Sequence, residues 1–476
     1  MKDNSRLKNG IMITFVAKYS NIFIQLIINS ILARLLSPED FGIIAVITVF
    51  IAFFNILGDM GVGPAIIQNK SLEEKDISNI FKFLFIAGIF IAGGFYLFSY
   101  FIAFFYNNSI YIKLGHLLSI SVLFSICNIV PNALLYKNQS FKKIGLITII
   151  VNMVVGIFTI CLAFNGFSYY SLVIDSILKS IFIFIICFKA SKIKINRGYS
   201  YNSVKKIQNY STYQFLFNFI NYFTRNLDNI LISKFLGPAT LGYYDKAYKL
   251  MLYPVQNLTN VITPVLHPIL SEFQQEKDII YQTYMKIVKV LAYIGIFVSI
   301  YCFFASKEII YIMYGKNWGE SIPIFRIFSI SIVIQMILSS IGSIFQATGY
   351  VNKLFSTGVV SAIITATAII IGVTSKSLII ISVGIVIAFI LNFIQCFYVL
   401  ITKVFEKNFI SFLFELRNIV PIAIIMIIGF VVISRVVISN VILSAVIKFI
   451  IGIITYSVGL YITKEYKLLK KIILKK

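Results

Sequence analysis

The sequence predicts an all-α integral membrane protein, and its composition and its apolar runs carry that prediction. Apolar residues make up 59% of the 476 positions and charged residues only 13%, whereas a soluble domain has about 25% charged residues. The mean hydropathy is +0.91. Apolar runs follow one another almost from end to end, and each approaches the roughly 20 residues that a helix needs to cross the hydrocarbon core. A β-barrel would instead need short alternating segments.

These runs predict about fourteen transmembrane helices and leave no room for a sizeable soluble domain. The expected spans are residues 11–33, 41–62, 79–105, 112–136, 144–165, 168–188, 210–233, 241–266, 285–306, 323–347, 353–373, 377–401, 418–438 and 442–463.

The positive charge is distributed asymmetrically across these helices. Of the 42 Lys and Arg, about two thirds fall in alternate connections, as the positive-inside rule expects of cytoplasmic segments. We therefore expect both termini in the cytoplasm and the basic tail Lys464–Lys476 on the membrane surface. The net charge of +24 needs no nucleic acid as a partner, because the anionic inner leaflet attracts such segments.

An internal repeat is visible at an offset of 200 residues. Asn29–Gly42 reads NSILARLLSPEDFG, and Asn229–Gly242 reads NILISKFLGPATLG. A weaker match at an offset of 210 pairs Lys143 with Lys353. The repeat unit is six helices, and an even number makes the two copies parallel.

The repeat predicts the domain organisation. We expect an N-terminal six-helix lobe, a basic cytoplasmic linker, a C-terminal six-helix lobe, and two further helices with the tail, at residues 1–189, 190–209, 210–402 and 403–476.

The repeated motif contains a helix start. Ser37 and Pro38 are an N-cap residue and a first-turn proline, and Asp40 follows the cap by three positions; this is the pattern of a capping box. A catalytic role for Glu39 or Asp40 is the alternative.

Two polar stripes lie within the predicted membrane spans. The first helix carries Thr14, Lys18, Asn21, Gln25 and Asn29 on one face. The seventh helix carries Gln214, Asn218, Asn221, Arg225 and Asn229 at the same positions plus 200. Because polar groups in lipid are costly unless they face water or other helices, the stripes favour a shared cavity between the lobes. Hydrogen bonding between helices within each lobe is the alternative.

Charged residues sharpen this prediction. Lys18, Arg225, Lys246 and Lys249 outnumber the nearby acids, and a cationic, amide-rich cavity suits an anionic, hydroxyl-rich substrate. Three acids are candidates for coupling transport to a proton or sodium gradient: Asp59, Asp228 and Asp245. Asp175 and Lys179, four residues apart, are expected to neutralise each other along one helix. The sequence predicts no metal site and no cofactor.

Several motifs resemble the bacterial polysaccharide flippase (Wzx-type) family of the multidrug/oligosaccharidyl-lipid/polysaccharide exporter superfamily. They are Leu32–Gly42, Asp59–Gly63, Ile67–Gln68, Asn226–Asn229, Leu241–Tyr244, Pro254 and Tyr314–Trp318. The resemblance runs through most of residues 7–400. It implies two six-helix lobes in a MATE-like V shape, in the bacterial cytoplasmic membrane.

The resemblance also implies a function. We expect a flippase that moves an undecaprenyl-pyrophosphate-linked oligosaccharide from the inner to the outer leaflet by alternating access for a surface polysaccharide, with a polymerase among its partners. The first alternative is a MATE-like cation or drug antiporter, whose cavity should hold surplus acid. The second is a membrane-embedded glycosyltransferase or polymerase, which usually needs a larger outer loop than residues 307–323.

Overall fold

The computed structural model describes residues 2–259, 276–436, 438–467 and 470, and the side chains of these residues except 2–15, 208–214, 216–221, 223–225 and 351. Every regular element in this part of the chain is helical. The chain divides into two compact units, Met1–Gly242 and Tyr243–Lys476.

The first unit contains helices α1 to α9 and the first turn of α10. Their bounds are α1 Lys2–Leu35, α2 Pro38–Asp59, α3 Val62–Gln68, α4 Glu74–Tyr106, α5 Ile110–Cys127, α6 Ile129–Lys137, α7 Phe141–Phe164, α8 Tyr169–Ser191, α9 Asn202–Leu236 and α10 Pro238–Thr259. Apolar side chains of α6, α7 and α8 form one buried cluster, made of Leu135, Ile147, Val151, Val155 and Cys187.

The second unit contains the rest of α10 and helices α11 to α19. Their bounds are α11 Lys277–Phe304, α12 Ser306–Met313, α13 Ser321–Leu338, α14 Ile341–Ala347, α15 Val351–Thr374, α16 Leu378–Val399, α17 Phe409–Glu415, α18 Ile419–Ser434 and α19 Val441–Ile462. The last two long helices pack on α11 through a buried cluster of Tyr293, Ile300, Ile422, Met426, Phe430 and Leu460.

Ser37 begins α2 as the motif predicts. Its side chain accepts a hydrogen bond from the Asp40 backbone N–H, and the Asp40 carboxylate accepts one from the Ser37 N–H at 2.8 Å. The Asp40 carboxylate also accepts a hydrogen bond from the Ser168 hydroxyl. The capping prediction is confirmed, and the box ties the start of α2 to the start of α8.

The 190–209 linker is held against the start of α4. The Lys82 ammonium donates to the carbonyl oxygens of Asn196 and Gly198, and the Lys206 Nζ lies 2.8 Å from the Asp76 carboxylate. Helix α9 then packs against α2 and α4, where the Tyr106 hydroxyl donates to the Ile230 carbonyl at 3.2 Å.

The expected number of spans is not confirmed. Eleven described helices are long and apolar enough to cross a membrane, or twelve if the pair Phe409–Glu415 and Ile419–Ser434, bent by 44°, forms one span. Helix α10 carries Asp245, Lys246 and Lys249 within 22 residues, which makes it too polar to qualify by composition. Residues 260–266, the end of the expected span 241–266, lie outside the described residues.

The lobe boundaries inferred from the repeat remain a prediction. The compact units are defined by contacts between helices, whereas the predicted lobes are defined by the internal repeat. The two divisions therefore describe different properties of the chain.

Candidate functional site

A small cavity in the first unit contains two residues of the predicted stripe on α1. Its volume is about 200 Å³, and its lining includes Lys18, Asn21, Tyr136 and Thr148. Lys18 is exposed and Asn21 is half-buried. Gly145 of α7 allows α1 to approach closely, since a Cβ there would lie 2.5 Å from the Cβ of Ala17. One ammonium, one amide and two hydroxyls therefore converge where α1, α6 and α7 meet.

Part of the same stripe bonds to a neighbouring helix. The Asn152 Nδ2 on α7 donates to the Asn21 Oδ1 at 2.7 Å, as the alternative reading of the stripe expects. Gln25 lies one turn further along α1 and is half-buried. The stripe thus lines a cavity within the first unit and forms an interhelical hydrogen bond, and the shared cavity between the lobes stays a prediction.

Three charged residues cluster on α10 of the second unit. The Lys249 Nζ lies 2.7 Å from the Asp245 Oδ2, and the Lys249 side chain remains 58% exposed whereas that of Asp245 is 9% exposed. Lys246 is only 5% exposed. Of these two cations, Lys249 is the one positioned to meet a solvated ligand.

Aromatic rings surround Lys246. Its Nζ lies 5.2 Å from the centroid of Tyr314 and 5.8 Å from that of Trp318, within the range of cation–π attraction. Trp318 is fully buried and packs edge-on against Tyr243 with centroids 5.9 Å apart. Gly315 adopts a φ of 91°, which favours glycine and turns the chain between the two rings. The sequence indicated no role for the motif Tyr314–Trp318. Because this motif lies far from Lys246 along the chain, no sequence pattern indicated that they are in contact.

Two of the three predicted acids, Asp59 and Asp228, accept hydrogen bonds from backbone N–H groups that are close to them in sequence. Asp59 accepts a hydrogen bond from the Gly63 N–H at 3.3 Å at the break between α2 and α3. Asp228 is 6% exposed, and its Oδ1 accepts from the Asn229 N–H at 2.8 Å. Asp245 belongs to the pair with Lys249, and ion coupling by these three residues remains a prediction.

Three predicted site residues cannot be placed. The side chains of Asn218, Asn221 and Arg225 lie outside the described residues, although the backbone of α9 runs through all three positions.

The two copies of the repeated motif meet within the first unit. A Cβ at Gly42 would overlap the Pro238 carbonyl oxygen, and a Cβ at Gly242 would overlap the Pro38 carbonyl oxygen. The starts of α2 and α10 therefore touch backbone to backbone in a reciprocal contact, which only residues without a side chain permit. This close contact holds one end of these two helices together.

The arrangement suits recognition of an anion. An exposed ammonium accompanies an amide and two hydroxyls around Lys18, and a second exposed ammonium is that of Lys249. Ammonium groups bind phosphate as point charges, while amides and hydroxyls hydrogen-bond to sugar hydroxyls.

Curated relatives have roles in surface polysaccharide synthesis. The chain is 24% identical over 417 residues to the lipopolysaccharide biosynthesis protein WzxC of Escherichia coli (strain K12), a match that covers 84% of this chain and 83% of that protein.

Solved structures share the fold. The lipid II flippase MurJ in an inward closed conformation superposes with a TM-score of 0.76 at 17% identity, over 96% of this chain and 100% of that one. An inward-facing multidrug resistance MATE family transporter of the MOP superfamily gives a TM-score of 0.60 at 14% identity, over 82% and 96%. The fold class predicted from the sequence is confirmed. The family model described as polysaccharide biosynthesis protein matches residues 31–323, more than half of the chain, and the chain therefore belongs to this family of multi-pass membrane proteins.

Proposed function

We propose that this protein is a flippase that moves an undecaprenyl-pyrophosphate-linked oligosaccharide from the inner to the outer leaflet of a bacterial cytoplasmic membrane. The observation that carries the proposal is the exposed Lys249 ammonium on α10. The chain that presents it belongs to a polysaccharide biosynthesis family and shares its fold with solved transporters. The name of MurJ describes a flippase for lipid II, and the cationic surplus of this chain suits a pyrophosphate.

The reciprocal contact between Gly42 and Pro238 and between Gly242 and Pro38 supports alternating access. Because the motif lies at the predicted outer ends of the second and eighth helices, the contact closes the outer side, and substrate enters from the inner leaflet. Opening this contact releases the headgroup outward, while the lipid tail stays in the bilayer. A proton or sodium gradient supplies the drive through Asp59, Asp228 or Asp245, and a polymerase takes the product.

Charge argues against the cation or drug antiporter. Such a cavity needs surplus acid, but none of the described residues that line the cavity with Lys18 is acidic, and α10 carries two ammonium groups against one carboxylate. The enzyme alternative requires a large outer segment, whereas residues 306–318 form a short helix and a turn packed around the buried Trp318.

The test separates a binding cation from a structural one. In cells that lack the chromosomal copy, Lys249→Ala should reduce display of the surface polysaccharide. A lost hydrogen bond to a charged group costs about 1.5–3 kcal/mol, which corresponds to roughly ten- to hundredfold in binding. Lys249→Arg should retain activity because it keeps the charge.

The double variant Lys249→Ala, Asp245→Asn is the matched control. If the pair is only structural, removing both charges leaves no orphan carboxylate and restores display. If Lys249 binds the pyrophosphate, Asp245→Asn alone keeps display and the double variant remains defective although it is present in the membrane at normal levels. A defect in Asp245→Asn alone would instead assign ion coupling to Asp245. Full display in a strain with Lys18→Ala and Lys249→Ala combined would refute the role of these cations.

A further inference from the structure

A second cavity lies wholly within the second unit, apart from the charged residues of α10. Its volume is about 390 Å³, at the small end of the range of about 300–1,000 Å³ that ligand pockets occupy. Helices α10, α13, α14, α15 and α16 form its walls. The polar side chains in its lining are Gln335, Ser339, Thr357, Ser361 and Asn392.

The lining is polar but neutral. None of the described residues that line the cavity is charged, so a phosphate would find no counter-charge there. Apolar side chains, among them Leu338 and Phe389, complete the wall. This mixture of amides, hydroxyls and apolar surface matches a ligand that has hydroxyl groups on its rim and C–H groups on its face.

Asn392 lines this cavity and has an acceptor without a hydrogen-bond partner among the described residues. The residue is 8% exposed, and its Nδ2 donates to the Thr365 Oγ1 at 3.3 Å. Its Oδ1 is buried and accepts no hydrogen bond from the described part of the chain. A buried amide oxygen without a partner is destabilising, so a donor in the cavity would stabilise it.

Gln335 presents a second acceptor. The hydrogen bonds that the structure gives it leave from Nε2, to the Met251 Sδ at 2.9 Å and to the Ser331 Oγ at 3.3 Å. With its amide nitrogen engaged on the protein side, its carbonyl oxygen is available to a ligand donor. The two amides are thus oriented by their own neighbours rather than by each other.

We propose that this cavity is a neutral sugar-binding subsite, which takes about one or two sugar rings of the transported oligosaccharide. The proposal rests on the proposed flippase function and adds a site distinct from the cations that meet the pyrophosphate. Sugar hydroxyls donate to the Asn392 and Gln335 carbonyl oxygens, and the ring face lies against Phe389 and Leu338. A lipid tail in the same place would leave those oxygens unpartnered.

Binding to purified full-length protein tests the subsite with two probes. The first is undecaprenyl pyrophosphate, which has no sugar. The second is the undecaprenyl-pyrophosphate-linked oligosaccharide extracted from the producing cells. Asn392→Leu should bind the second probe about tenfold more weakly and the first probe unchanged, because only the sugar reaches the amide.

Two further variants keep the result interpretable. Ser339→Trp places a ring at the exposed edge of the cavity and should cause the same selective loss without altering a buried residue. Asn352→Leu makes the same chemical change at an exposed position of α15 that does not line the cavity, and it should bind both probes as the unaltered protein does.

The outcomes separate the subsite from the function on which it rests. If the unaltered protein binds both probes equally, or if both cavity variants bind the oligosaccharide normally, the subsite is refuted while the flippase proposal stands. Equal weakening of both probes by Ser339→Trp would show that the lipid occupies the cavity, which also overturns the proposal. Failure of the unaltered protein to bind either probe would refute the flippase function itself.

Discussion

Lys246 and Lys249 show how far neighbouring cations on one helix can differ. Three residues apart on α10, one is enclosed by Tyr314 and Trp318 and the other is more than half exposed. An enclosed ammonium stabilises the packing of α10 against the Tyr314–Trp318 turn, whereas an exposed ammonium can exchange its water for a ligand. Lys249 is therefore the better candidate for substrate contact, and Lys246 for positioning α10.

Glu308 and Lys448 form a buried ion pair that no pattern in the sequence indicates. The Lys448 Nζ lies 2.6 Å from the Glu308 Oε1, with the side chains 15% and 9% exposed. The same carboxylate oxygen accepts a hydrogen bond from Ser444 at 2.8 Å. The pair fixes α19 to the short helix α12, so the last helix belongs energetically to the second unit.

Acid should weaken this attachment. Burial would raise the pKa of Glu308, but hydrogen bonds from Lys448 and Ser444 outweigh burial and lower the pKa below its ordinary value of 4.5. A carboxyl whose pKa is lower in the folded state stabilises the fold above its unfolded pKa and loses that contribution as pH falls through its folded pKa. We expect the apparent melting temperature of the purified protein to drop below about pH 4.5, with Glu308→Gln removing part of that drop.

At neutral pH, Lys448→Met should destabilise the protein by about 3–5 kcal/mol, since it leaves a buried carboxylate unpaired. Glu406→Gln is the matched control, because the Glu406–Lys277 pair involves a carboxylate that is 72% exposed and such pairs contribute little. Equal melting temperatures for Lys448→Met and the unaltered protein would contradict a stabilising role of the Glu308–Lys448 ion pair.

At the scale of elements, two predicted spans are broken helices. The expected span 112–136 is α5 and α6, which meet at Asn128, and the expected span 323–347 is α13 and α14, which meet at Ser339 and Ser340. The two breaks lie about 210 residues apart, the offset at which Lys143 matches Lys353, so they are an element-level sign of the same repeat. Because the sequence around both breaks is apolar, the apolar runs alone do not reveal them.

The contact between the starts of α2 and α10 makes a prediction at this scale. Gly42→Val should overpack the contact with the Pro238 carbonyl, at a cost of about 1–3 kcal/mol. If this contact closes in every transport cycle, the variant should reach the membrane normally but display less surface polysaccharide. Gly93→Val is the control, since a Cβ at Gly93 has nothing within 4 Å. Normal display with Gly42→Val would remove the contact from the cycle.

At the scale of the whole molecule, the placement of Lys and Arg predicts the orientation. Both termini and the 190–209 linker should be cytoplasmic. A reporter that is active only in the cytoplasm should work when fused after residue 200, in the linker held by Lys82, and after residue 476. Activity at one position and not the other would break the predicted arrangement, because the eight spans expected between the linker and the C-terminus return the chain to the same side.

The sequence by itself determined the features that depend on composition or on neighbours along the chain. The helical membrane fold follows from apolar runs that must satisfy their own backbone hydrogen bonds in lipid. The capping box at Ser37 and the Asp175–Lys179 ion pair, with its 2.7 Å separation, are contacts within one helical turn. The family was predicted from motifs that can be recognised in a single sequence.

Only the tertiary structure decided which distant side chains share a site. The enclosure of Lys246 by Trp318, the bond between Asn21 and Asn152, and the cavity around Asn392 each join helices far apart in sequence. In lipid, water does not drive apolar helices together, so their pairing depends on close packing and a few polar contacts. Those depend on the shapes of both partners at once, and no pattern along one helix contains that information.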